Sequence, residues 1–126
     1  MIKNKIVLKI IFMLFVTMSC SDNKNKTKKP TNPITIKMVT HGQATDPFWS
    51  VVRNGAKDAS ESLGINFNYQ SPQNFDMITM SQIIDAVIST NPDGLIVSVP
   101  DLSALKKSIR SASKKGIPII VINSGI

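Results

Sequence analysis

From Ile34 onward the apolar positions alternate between two spacings. Ile34–Thr40 (ITIKMVT) is β-branched and apolar and predicts a first strand. Phe48–Leu63 then places Phe48, Val51, Val52, Ala56, Ala59 and Leu63 at helical spacing, with Arg53, Lys57, Asp58 and Glu61 mostly on the other face. Gly64 follows, where a left-handed C-cap is usual. Ile65–Tyr69 is short and alternating and predicts a second strand. Met77–Ser89 predicts a second helix with Met80, Ile83, Ile84, Val87 and Ile88 as its stripe. Asn91-Pro92-Asp93-Gly94 reads as a turn, because Pro fixes φ and Gly accepts a positive one. Leu95–Val99 is the third strand. Ser103–Lys115 is the third helix, with Leu105, Ile109 and Ala112 inward and Lys114 and Lys115 in the last turn, where cations suit the dipole. Gly116 ends it. Ile117–Ile122 is a continuous apolar run, the kind buried on both faces.

The order is βαβαβαβ, with strands starting at 34, 65, 95 and 117. Short connections between such units demand parallel strands joined by right-handed crossovers. The predicted class is α/β, an open doubly wound parallel sheet. No helix pattern follows the fourth strand to cover its second side. Residues 34–126 are therefore expected to be part of a larger lobe.

The first 33 residues follow a different pattern. Met1–Lys5 is a short basic segment. Ile6–Val16 is apolar apart from Lys9, and its unbroken part is too short for the roughly 20 residues of a membrane span. Residues 1–19 fit an export signal, with small Ser19 just before Cys20, the sole cysteine. A lone cysteine cannot form an internal disulfide. Thr17-Met18-Ser19-Cys20 resembles a bacterial lipobox, although Leu is commoner where Thr17 stands. That resemblance implies cleavage before Cys20 and its lipidation; ordinary cleavage to a soluble periplasmic chain is the alternative. Residues 20–33 then form a lipidated cysteine and a disordered tether with no apolar side chain to bury after Cys20.

Composition sharpens this division. The 126 residues are 42% hydrophobic, 6% aromatic and 18% charged, a globular mix. The formal charge of +7 is concentrated in the signal and tether, and residues 30–126 carry only about one excess positive charge. A nearly neutral body argues against a nucleic-acid-binding face.

Ligands of open α/β sheets gather beyond the carboxyl ends of the strands. That rim carries His41, Gln43, Asp46, Phe48 and Trp49 after the first strand, and Ser71, Gln73 and Asn74 after the second. Pro100 and Asp101 follow the third strand, and Asn123 and Ser124 the fourth. Asp46-Pro47 is a good helix start, so Asp46 can cap, bind ligand, or do both with separate oxygens. Phe48 and Trp49 are helix neighbours and cannot share a face; one can be core while the other faces a cleft, and Trp49 reads first as a stacking platform, with a plain core or rim residue as the alternative. Asp101 can cap the third helix or contact ligand. Asn123 can close an Asx turn or contact ligand. His41, the single histidine, reads first as a satisfied strand-end residue. No GxGxxG follows the first strand, no GxxxxGK[ST] occurs, and no G-x-S-x-G elbow is present. One His and one Cys do not make a zinc site. Neither catalysis nor a cofactor is expected. Carboxylates and amides bridge adjacent hydroxyls, and aromatic faces pack on the C–H face of a sugar ring. The rim therefore suits neutral polyols.

Three segments in order resemble a known family: His41-Gly42-Gln43-Ala44-Thr45-Asp46-Pro47-Phe48-Trp49 with Asn54-Gly55-Ala56, then Asn91-Pro92-Asp93-Gly94-Leu95-Ile96-Val97-Ser98, then Gly116-Ile117-Pro118-Ile119-Ile120-Val121-Ile122-Asn123-Ser124-Gly125. They look like the type I periplasmic sugar-binding proteins of ABC importers (ribose/galactose type), whose fold is shared by LacI-type effector domains. The resemblance implies a partial N-terminal lobe over residues 34–126, with strand order 2-1-3-4. It implies that Phe48 and Trp49 stack on a monosaccharide-like ligand while Asp101 and Asn123 bind hydroxyls, beside Asp46. Many members have Asp where Asn123 stands. It further implies ABC permease subunits as partners, a membrane anchor through Cys20, a periplasmic or cell-surface location and no nucleic acid. The alternative is an extracytoplasmic sugar or autoinducer sensor feeding a membrane signalling partner. Since the family closes two lobes over its sugar, the isolated 126-residue chain is expected to bind sugar weakly or not at all.

Overall fold

A computed structural model describes residues 32–43 and 45–125. The expected signal over residues 1–19, Cys20 and the tether as far as residue 31 lie outside the described residues, as do Ala44 and Ile126. The elements run β1 (Thr35–Val39), α1 (Pro47–Leu63), β2 (Asn66–Gln70), α2 (Met77–Ser89), β3 (Gly94–Val97), α3 (Leu102–Lys114) and β4 (Ile119–Val121). The strands form one parallel sheet in the order β2-β1-β3-β4. Met38 of β1 sits between Tyr69 of β2 and Ile96 of β3. The expected order of strands and helices therefore holds, with ends shifted by at most two residues.

The chain steps from β1 to β2 in one direction and from β2 past β1 to β3 in the other. Right-handed crossovers then place α1 on one face of the sheet and α2 with α3 on the opposite face. The second face is the core. Val39, Leu95 and Val97 of the sheet meet Met80, Ile84, Val87 and Ile88 of α2 and Leu105 and Ala112 of α3. These are the stripes expected of both helices. Burying one such large side chain stabilises the fold by about 1.5–3 kcal/mol.

The α1 face differs from expectation. Val51 and Leu63 are each 72% exposed, and Trp49 and Ser60 are the buried residues. The inward stripe is rotated by one position because α1 lies over the β2 side of the sheet and leaves β3 and β4 bare beneath it. A trough of about 340 Å³ opens there, lined by Ile36, Ala59, Leu63, Phe67, Ile96 and Ile120. The continuous apolar run predicts a fourth strand buried on both faces; instead Ile120 is 61% exposed. Only the side bearing Ile119 packs on the core, since no described element covers the other.

Each helix begins with an aspartate. Asp46 caps α1, Asp76 caps α2 and Asp101 caps α3. All three sit in loops leaving the carboxyl ends of strands, so parallel topology gathers them on one rim. Gly64 closes α1 at φ 66°, a left-handed conformation that Gly adopts without steric cost.

Candidate functional site

The rim is built around an aromatic row. The His41 ring lies edge-on to Trp49 at 5.2 Å and to Phe75 at 5.7 Å. Phe48 meets Trp49 in the same manner at 5.1 Å. Edge-to-face packing at these separations is the preferred geometry of aromatic rings. The row therefore runs Phe48–Trp49–His41–Phe75 across the ends of β1 and β2.

Its two ends are open and its middle is closed. Phe48 is 53% exposed and Phe75 is 66% exposed, whereas Trp49 is 4% exposed. Of the two neighbours expected to divide between core and cleft, Trp49 takes the core position and Phe48 the open one. Gly42 explains why. A Cβ built on Gly42 would lie 1.7 Å from Trp49 Cδ1, so the indole occupies the space a side chain would fill. Nothing in the sequence singles out Phe75, because it falls in a polar loop outside any periodic stripe. Its proximity to β1 arises only when β2 pairs beside it.

His41 is held by Ser98 at the end of β3. The His41 backbone N–H donates to Ser98 Oγ at 2.9 Å, and Nδ1 lies 2.8 Å from the same oxygen. A neutral ring satisfies both contacts: Ser98 accepts from the backbone and donates its hydroxyl proton to Nδ1. Burial holds the imidazole below its ordinary pKa, and the carboxylate of Asp46 opposes that shift. His41 is thus the satisfied strand-end residue expected, and it also joins the two aromatic ends.

The acids are all engaged as caps. Asp46 Oδ1 accepts from the Phe48 N–H at 2.8 Å. Asp76 Oδ1 accepts from Ile78 N–H at 2.8 Å, and its Oδ2 from the Thr79 hydroxyl at 2.6 Å. Asp101 Oδ1 accepts from the Ser103 hydroxyl at 2.6 Å and the Ala104 N–H at 3.2 Å. Hydrogen bonds to Thr79 and Ile78 lower the Asp76 pKa, and those from Ser103 and Ala104 lower that of Asp101. Among the described residues, these hydrogen bonds reach Oδ1 of Asp46 and Oδ1 of Asp101 and not Oδ2 of either.

Asn123 is exposed and adopts φ 63°, a left-handed conformation Asn tolerates better than most residues. Beside it, the carbonyl of Ser124 accepts from the Val99 N–H at 2.8 Å. Ser124 Oγ is buried without a hydrogen-bond partner among the described residues. Every residue of the expected set in the described chain thus lies at the carboxyl edge: Asp46, Phe48 and Trp49 after β1, Asp101 after β3 and Asn123 after β4. Asp76 and Phe75 are the additions.

A family model for the periplasmic binding protein domain matches residues 36–126. The xylose/arabinose-binding protein XylF of Sulfolobus acidocaldarius is 32% identical over 82 residues, covering 65% of this chain and 20% of its own length. The ribose import binding protein RbsB of Bacillus subtilis is 25% identical over 114 residues, covering 87% of this chain and 37% of its own length. The chain therefore spans well under half of either relative. Among solved structures, a carbohydrate transporter from Acidothermus cellulolyticus 11B in complex with myo-inositol superposes with a TM-score of 0.69 at 34% identity. That superposition covers 75% of this chain and 32% of the transporter chain.

Proposed function

The chain belongs to the periplasmic binding protein domain family, and on that premise we propose that it forms one wall of a sugar receptor serving an ABC importer. Family membership implies an exported, extracytoplasmic binding protein. The observation that carries the proposal is the open-ended aromatic row flanked by aspartates on the rim where this fold binds ligands. Phe48 and Phe75 offer apolar faces to sugar C–H groups. The second oxygens of Asp46 and Asp101, with the amide of Asn123, accept or donate to ring hydroxyls. Trp49 supports Phe48 from beneath and does not itself stack. The relatives' names speak of pentoses and ribose and the solved neighbour holds a cyclitol, so the proposed ligand class is a neutral monosaccharide or inositol. Nothing in this reading requires catalysis or a cofactor.

We further propose that Cys20 carries the lipid anchor and residues 21–33 the tether, so that the receptor works beside the membrane and hands its sugar to permease subunits. Metabolic labelling with a fatty acid checks the anchor; label should be lost in Cys20→Ser.

Ligand-detected saturation-transfer NMR on the chain, with pentoses, hexoses and myo-inositol, tests the site, because it registers even millimolar binding. Transfer to at least one of these sugars is expected, and Phe48→Ala should weaken it by roughly tenfold, the equivalent of about 1.4 kcal/mol. Transfer that Phe48→Ala leaves unchanged would overturn the sugar reading of this rim. Crosslinking in the native membrane separates import from sensing: capture of a permease supports the first, and capture of a signalling receptor the second.

A further inference from the structure

The cations of the described body are strongly segregated. Of its eight Lys and Arg, five fall between Lys106 and Lys115, and no Asp or Glu occurs between Leu102 and Gly116. On α3, Ser103, Lys106, Lys107, Arg110, Ser111 and Lys114 line one shallow trough of about 510 Å³. Positions three and four apart lie on one helix face, so these side chains form a stripe about 16 Å long. None of the four cations makes an ion pair among the described residues; the ion pair there is Lys57 with Glu61 on α1. Lys115 is not part of the stripe, because its Nζ turns back to the Ile88 carbonyl at 3.3 Å and Asn91 Oδ1 at 3.4 Å. The helix dipole accounts for Lys114, the basic residue of the last turn, and not for the others. Lys106 with Arg110, and Arg110 with Lys114, are like charges at i,i+4, a spacing that works against the helix. Its opposite side is fully committed: Leu105, Ser108 and Ala112 are buried against α2 and the sheet.

We propose that this basic face of α3 lies against the anionic headgroups of a phospholipid bilayer. The inference deepens the anchored-receptor reading and rests on it for bringing a bilayer near. The segment Lys24-Asn25-Lys26-Thr27-Lys28-Lys29 adds cations of the same sign between Cys20 and the body. Each Lys or Arg near an anionic surface favours binding about fivefold, corresponding to about 1 kcal/mol. Four together give a contact strong enough to orient a tethered body, though screened by salt. With α3 against the bilayer, the rim at its N-terminal end faces along the membrane.

The test uses the full chain carrying Cys20→Ser, so that no acyl group contributes. Partition onto phosphatidylcholine vesicles is compared with partition onto vesicles containing phosphatidylglycerol. The unsubstituted helix should favour the anionic vesicles, and high ionic strength should abolish the preference. Replacing Lys106, Lys107, Arg110 and Lys114 by Gln should lower that preference more than about tenfold. Removing Arg53 and Lys57 from α1 should leave it nearly unchanged. Arg at all four α3 positions should retain it, which separates charge from fold. An undiminished preference in the Gln variant overturns the proposal, as does no preference in the unsubstituted chain. Fatty-acid labelling of the native Cys20 form is read separately, so failure of the anchor and failure of the α3 contact are distinguishable.

Discussion

Phe48 and Trp49 are adjacent and do opposite things. Trp49 is sealed beneath Gly42, so Trp49→Ala should cost about 3–5 kcal/mol, read from the shift in a urea unfolding midpoint. Phe48→Ala should change stability by less than about 0.5 kcal/mol while, on the proposed reading, weakening sugar contact. Gly42→Ala forces a methyl group into the indole and should destabilise by about 1–3 kcal/mol, reported by the same titration. His41 sets a pH dependence. Its folded pKa lies below the ordinary value of 6.5, so protons favour the unfolded chain. Its contribution is fully present above pH 6.5 and is lost as pH falls from there through the folded pKa. His41→Gln should flatten the stability profile in that window. The lowered pKa values of Asp76 and Asp101 act lower, where stability present above about 3.8 fades as their folded forms protonate.

At the scale of elements, α2 and α3 stand on the buried face, and their apolar periodicity identifies them. Leu105 is wholly buried between α3 and its neighbours, so Leu105→Ala should cost about 2–5 kcal/mol in denaturant unfolding. The sequence pattern makes all seven elements legible because each carries an apolar stripe or run with a Gly, Pro or Asp near its ends. It misjudges the facing of α1, whose apolar residues exceed what the sheet beneath it covers, so spacing alone does not choose between adjacent stripes. It likewise misjudges β4, because a continuous apolar run reports capacity for burial and not the presence of a cover. Asp76 stands directly before the expected second helix without being singled out there, while Asp46 and Asp101 are legible as caps from Asp46-Pro47 and from the start of α3. Phe75 is not, since its place in the aromatic row depends on β2 pairing beside β1, a contact that no local pattern encodes.

At the scale of the molecule, the described elements cover one side of the sheet fully and the other in part. The α2–α3 side is a closed core, and the trough between α1, β3 and β4 is an exposed apolar surface. The 126-residue chain should therefore bind a hydrophobic dye such as ANS in its folded state. Ile120→Lys should lower that fluorescence by roughly half without lowering the unfolding midpoint, since Ile120 is largely exposed.

On the proposed reading, the three aspartate caps would also act as a sieve for ionisation state. Parallel helices bring three positive dipole ends to one rim, where many α/β proteins would receive a phosphate. Here each end is already stoppered by a carboxylate of the chain itself. A phosphorylated or uronic sugar would arrive at occupied donors and at like charge. Uncharged sugars meet no such penalty, so competition with a sugar phosphate should leave the bound neutral sugar undisturbed.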